Sequence, residues 1–207
     1  MPVLDRAFAA FYDPIMRSSE RAGLGARRRE LLADLRGDVV EIGAGTGANL
    51  DHLDVEVERA TLLEPAPAMA ARLREHAAAH PYPFGIEVIE APAEAIPLPD
   101  ASADAVISTL VLCSVDDLDL ALSEIRRILR PGGALVIIEH VRGAGATATV
   151  QRIIEPAWKT VGRGCHLTRD TRVRIAEAGF DVSALTPWQL PAPAPAAPAI
   201  SGVAQPC

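Results

Sequence analysis

Cysteine is scarce in this chain: only Cys113, Cys165 and Cys207 occur among 207 residues. An odd number at wide spacing excludes a disulfide framework and fits a reducing compartment. No apolar run long enough for a membrane helix is present either. The longest uncharged stretch, residues 182–207, is crossed by Pro187, Pro191, Pro193, Pro195, Pro198 and Pro206. A span needs ~20 continuous apolar residues, and proline breaks a helix. The first residues lack the apolar core of a secretory signal, because Asp5, Arg6 and Asp13 interrupt them. Surplus positive charge is also missing: 27 acidic against 20 basic residues give −7, which disfavours a partner held by neutralised phosphates. These absences predict a cytoplasmic protein with no membrane span and no nucleic-acid partner.

What is present points to one folded domain. Apolar residues make up 49% of the chain and charged residues 23%, at a length suited to a single domain of ~100 to 200 residues. Strand-like runs at 38–43, 60–64, 86–89, 105–112 and 134–139 alternate with helix-like segments at 46–53, 68–79 and 118–129. The last helix carries one apolar stripe, Leu118, Ala121, Leu122, Ile125 and Ile128, with Asp116 or Asp117 as its cap. Residues 1–37 read as one or two helices. Beyond 142 come a helix over 150–161, another from a Thr168 cap to Ala178, and a pair of strands at 180–185 and 199–204. The expected fold is α/β: a Rossmann-like, seven-stranded, mainly parallel sheet with helices on both faces and an antiparallel C-terminal edge hairpin.

Chemistry concentrates after the strands. Val39-Val40-Glu41-Ile42-Gly43-Ala44-Gly45-Thr46-Gly47 runs from a strand into a glycine-rich turn, where positive φ and close ligand approach are both allowed. Its G-x-G-x-G spacing departs from the dinucleotide fingerprint. Glu41 would meet an ammonium group well and a pyrophosphate badly, so an NAD-dependent oxidoreductase is disfavoured. Glu64 ends the second strand, where a carboxylate can hold both hydroxyls of a ribose. Ala93-Glu94 follows the third strand beside Ile96, a place for an adenine ring. Together the three signals ask for an adenosine with a charged amino-acid tail: S-adenosylmethionine.

At these residues the chain resembles the class I S-adenosylmethionine-dependent methyltransferases over about residues 10–185. The matching blocks include 41–47, Glu64-Pro65, Ala93-Glu94, 98–104 and 128–133. It is more closely similar to the methyltransferase-like seven family of alkyl thiol methyltransferases and its bacterial relatives. That likeness rests on 108–115, on Glu139-His140-Val141, on 155–159 and on 164–171. The resemblance implies a single domain: an N-terminal helical lid over 1–37, a cofactor half over 38–141, and acceptor-side helices with the C-terminal hairpin over 142–207. It implies cofactor contacts from Glu41, Gly43, Ala44, Gly45, Gly47, Glu64, Pro65, Ala93, Glu94, Thr109 and Leu110, with Tyr12 on the lid. The acceptor pocket is expected from Cys113, His140, Trp158, Cys165 and His166.

The expected reaction moves methyl to a small, rather apolar acceptor, a thiol before others, because a thiol is already partly thiolate at neutral pH. Its partners are that small molecule and, at most, a second copy: a monomer or homodimer. Quinone, phenolic or lipid-amine acceptors, and a non-catalytic binding module, are the alternatives. His140 is the candidate base or orienting residue, against the plainer reading of a histidine bracing a loop. Adjacent Cys165 and His166 do not make a metal site, and none is expected.

Overall fold

The computed structural model describes residues 2–207. Among them eight strands form one sheet: β1 (Gly37–Ile42), β2 (Val57–Leu63), β3 (Gly85–Ile89), β4 (Ala103–Thr109), β5 (Leu129–His140), β6 (Phe180–Asp181), β7 (Thr186–Gln189) and β8 (Pro198–Pro206). The order is β3-β2-β1-β4-β5-β8-β6, with β7 also pairing with β8. The first five strands are parallel; every pairing with β8 is antiparallel. Six helices accompany them: α1 (Pro2–Ser19), α2 (Gly25–Leu32), α3 (Pro67–Ala79), α4 (Leu118–Ile128), α5 (Gly145–Val161) and α6 (Thr171–Glu177). A π-type turn over Glu20–Leu24 joins α1 to α2.

Central strands are buried on both faces, as their unbroken apolar runs require. Val40 and Ile42 join a core with Val106 and the Leu122 and Ile125 stripe of α4. Val39, one step out of phase, joins Leu62, Leu73 and Leu32 on the opposite face. Among the described residues no helix is long and apolar enough to cross a membrane.

Several boundaries differ from the sequence expectation, each for a local reason. No α-helix forms over 46–53; amides reach back three residues, from Gly47 to Ala44, Leu50 to Gly47 and His52 to Asn49. Gly43, Gly45 and Gly47 all take positive φ, so the chain coils in successive turns before a short 3-10 segment at Leu50–His52. The run 105–112 stops being strand at Thr109, because Leu110 adopts φ 61°. Strand β5 begins at Leu129, directly after α4. Asp170, not Thr168, caps α6 by accepting the Val173 amide. Residues 180–185 are strand only at Phe180–Asp181; a turn closed by Leu185 N–H to Val182 O follows, then β7. Strand β8 therefore lies inside the sheet, and β6 and β7 share its outer edge. Gly202 makes this possible, since a Cβ there would sit 2.4 Å from the Ala184 carbonyl oxygen.

Candidate functional site

The parallel strands end on one side of the sheet, where ligands of open α/β folds dock. Glu41, near the end of β1, is buried and receives Asn49 Nδ2 on Oε1 at 2.8 Å. Its other oxygen, Oε2, is buried with no donor. Burial dominates and raises the carboxyl to about 7, opposed by Asn49 and by the Arg28 charge. Asn49 is a hub that sequence reasoning missed. Its amide also reaches Thr109 Oγ1 at 3.2 Å, and its Oδ1 accepts from the buried Arg28 guanidinium at 2.7 Å. The signal for it was a polar side chain immediately behind the glycine turn.

Gly43 is where a side chain is excluded: a Cβ would fall 2.6 Å from Val111 Cγ2. Ala44 N–H bonds to Leu63 O at 2.9 Å, which ties the glycine turn to the end of β2. Glu64 follows β2 and is buried. It accepts the Gly45 amide on Oε2 at 2.9 Å and the Ala66 amide on Oε1 at 2.8 Å. Burial raises its carboxyl above the ordinary range, and those two amides oppose the rise. Each oxygen keeps a second lone pair for a hydroxyl donor. Pro65 is exposed beside it and Ala93 is buried after β3. The Glu94 carboxylate turns to the Asp116 and Asp117 amides at 2.8 and 3.2 Å, bracing the entry to α4.

Tyr12, on α1, lies over the glycine turn, its Cε1 3.9 Å from where a Gly45 Cβ would stand. Asp13 fastens this helix, accepting Thr46 Oγ1 at 2.6 Å and Arg72 at 3.2 Å. The other end of α1 is held by Ser19 Oγ to Pro191 O at 2.6 Å. Tyr12 lines two cavities at once. One, of about 550 Å³, reaches Thr46 and Ala48; the other, of about 860 Å³, extends to His140 and Trp158.

The larger cavity is assembled from distant segments. Ile15 and Met16 of α1, Leu110 and Cys113 after β4, His140 ending β5, Trp158 of α5, Cys165, and the 190–196 loop all contribute. Neither ring nitrogen of His140 has a hydrogen-bond partner, nor does Trp158 Nε1. The Pro195 carbonyl lies close enough to act on the imidazole but outside hydrogen-bond geometry, and it already accepts Gln151 Nε2 at 2.8 Å. Burial holds the His140 pKa below its ordinary value, so the ring is neutral at neutral pH. His166 does not line this cavity. Its Nδ1 sits 3.3 Å from Glu155, and its amide donates to Cys113 O at 2.8 Å, so it braces the wall.

Glu139 shapes the cavity without facing it. Fully buried in β5, it accepts the Ser108 hydroxyl at 2.6 Å, the Val111 and Leu112 amides at 3.0 and 3.1 Å, and the Cys113 amide at 3.3 Å. Four donors on one carboxylate hold the strained turn at Leu110 and set where Leu110 and Cys113 project.

A methyltransferase domain profile matches residues 40–137. Thiol S-methyltransferase TMT1B from Rattus norvegicus is 38% identical over 177 residues, covering 80% of this chain and 72% of that protein. TMT1B from Homo sapiens is 34% identical over 188 residues, covering 86% and 77%. Among solved structures, an S-adenosylmethionine-dependent methyltransferase from Thermotoga maritima superposes with a TM-score of 0.65 at 23% identity, covering 95% of both chains; it shares the fold.

Proposed function

The chain belongs to the S-adenosylmethionine-dependent methyltransferase family that contains the TMT1 enzymes, and on that footing we propose that its acceptor is a small apolar thiol. The cofactor's demands fit the residues present. Glu41 Oε2 is an acceptor lacking a donor, which an ammonium group supplies; Glu64 offers two oxygens to ribose hydroxyls; Gly43 and Gly45 keep side chains off the chain between them. Ala44, Gly47, Pro65, Ala93, Glu94, Thr109 and Leu110 surround that position, and Tyr12 closes it as part of a lid spanning 1–37. Residues 38–141 form the cofactor half and 142–207 the acceptor half in this reading.

When bound, S-adenosylmethionine supplies a methyl carbon made electrophilic by its sulfonium, which leaves as the neutral thioether S-adenosylhomocysteine when the acceptor sulfur bonds to that carbon. The chain's own part is alignment and exclusion of water. One observation carries the acceptor class: the cavity is largely apolar, and the ring nitrogens of His140 are buried in its wall without partners. A thiol needs little more, because a few per cent is thiolate at neutral pH. His140 accepts its proton or orients its sulfur. A phenol or amine asks for a stronger base, and the nearby carboxylate, Glu139, is already committed to four donors. Three unpaired cysteines suit a reducing compartment such as the cytoplasm.

The test is product formation from a simple alkyl thiol, assayed beside a quinol, a phenol and a phospholipid amine. Methylated thiol should dominate, and His140→Gln should depress it while cofactor affinity holds. Activity confined to the non-thiols overturns the acceptor assignment.

A further inference from the structure

The methyl transfer proposed above assigns no step to the thiols of Cys113 and Cys165, yet the fold brings the two together in the cavity wall. The segments that carry them run side by side: Cys113 O accepts the His166 amide at 2.8 Å. Gly164, at φ 96°, permits this approach, since a Cβ there would stand 3.0 Å from the Ser114 carbonyl oxygen. The two side chains then lie close enough to act on each other. Both line the 860 Å³ cavity, with Cys165 half-buried and Cys113 almost wholly buried beneath it.

We propose that Cys165 and Cys113 form a thiol–disulfide exchange site whose substrates are small organic disulfides entering the acceptor cavity. Cys165 thiolate attacks one substrate sulfur; the substrate S–S bond breaks, and the first thiolate leaves. Cys113 then attacks Cys165 Sγ in the mixed disulfide, the second thiolate leaves, and the Cys113 proton goes to it. The balance is two electrons: the protein dithiol is oxidised to a Cys113–Cys165 disulfide, and one disulfide is reduced to two thiols.

The asymmetry of the pair matches these roles. The neighbouring Cys113 thiol pulls the Cys165 thiol below its ordinary pKa, and the same proximity, with burial, pushes Cys113 up. The accessible sulfur is thus the nucleophile and the deeper one the resolving thiol. Exchange requires no methyl donor, so its outcome is independent of the methyl acceptor's identity.

The experiment uses a Cys207→Ser background, which removes the exposed third thiol. Reduced protein freed of reductant is mixed with bis(2-hydroxyethyl) disulfide and no cofactor. About two thiols per chain should be released, with a Cys113–Cys165 cross-linked peptide that dithiothreitol reverses. Adding Cys113→Ser should stop the reaction at about one released thiol and a stable adduct on Cys165. Adding Cys165→Ser should abolish release. Equal release from the Cys165→Ser protein overturns the proposal. So does a peptide map of the background protein in which both thiols stay free, a readout that does not depend on either further serine variant folding.

Discussion

On the glycine-turn side of Tyr12, buried polar groups hold one another in place: Arg28 to Asn49, Asn49 to Glu41, Gly45 and Ala66 to Glu64. On the far side the cavity wall is apolar, and its few buried polar atoms, in His140 and Trp158, have no partners. A ligand of fixed shape rewards the first construction, because each donor and acceptor can be set in advance. A family of variable apolar ligands rewards the second, where shape and dryness select and few polar groups orient. Glu41 Oε2 is the exception on the polar side, and in the proposed reading its missing donor is what the cofactor brings.

Breaking the frame that both sides share should have the largest effect. Glu139→Ala removes the acceptor of three consecutive amides and of Ser108. Each orphaned buried donor costs about 1–3 kcal/mol, and losing the burial cost of the carboxylate itself offsets part of the sum, so we expect about 3–5 kcal/mol of stability to be lost, read as a shifted urea midpoint with unchanged slope. If stability is intact, the turn at Leu110 is held by something else.

The next test breaks the polar side alone. Glu64→Ala strands the Gly45 and Ala66 amides and removes the proposed ribose acceptor, and cofactor affinity should fall about 100-fold by calorimetry. Thermal unfolding should move far less than for Glu139→Ala, because the glycine turn is still pinned by Ala44 N–H to Leu63 O. Undiminished affinity would remove Glu64 from the binding site.

The two sides were unequally legible in sequence. Glycine spacing and the carboxylates ending β1 and β2 are local facts that survive in any doubly wound sheet, so Glu41, Gly43, Gly45 and Glu64 stand together as expected. The cavity is a tertiary fact. Met16, Leu110, Trp158, Cys165 and Pro191 meet only because α1 folds back over strand ends and the 190–196 loop descends on it. His166 misled because its Cys neighbour is in the wall, whereas its own ring turns to Glu155. Glu94 follows β3, and its carboxylate serves the start of α4, a long-range partner that its place in the sequence does not disclose. The β7 strand was hidden in a proline-rich run. Its Pro187 sits at the sheet's outer edge, where a missing amide costs little.

The last test sharpens the contrast through pH. Burial raises Glu41 to about 7, so in the empty protein its proton is favoured in the folded state. That stabilisation is complete below the ordinary carboxylate pKa and is lost as pH rises through about 7. The wild type should therefore lose about 3 kcal/mol relative to Glu41→Gln between acid and neutral pH. Cofactor binding reverses the preference, because an ammonium donor on Oε2 favours the carboxylate. Binding below about pH 7 must then release a proton, and affinity should fall by up to about tenfold per pH unit on the acid side and level off above it. Calorimetry in two buffers of different ionisation enthalpy reads that proton directly. Glu41→Gln should bind more weakly at neutral pH and show a flat profile. A wild-type profile equally flat from pH 5 to 8 would mean that Oε2 finds its donor within the protein, and that the two sides differ less than their hydrogen bonds imply.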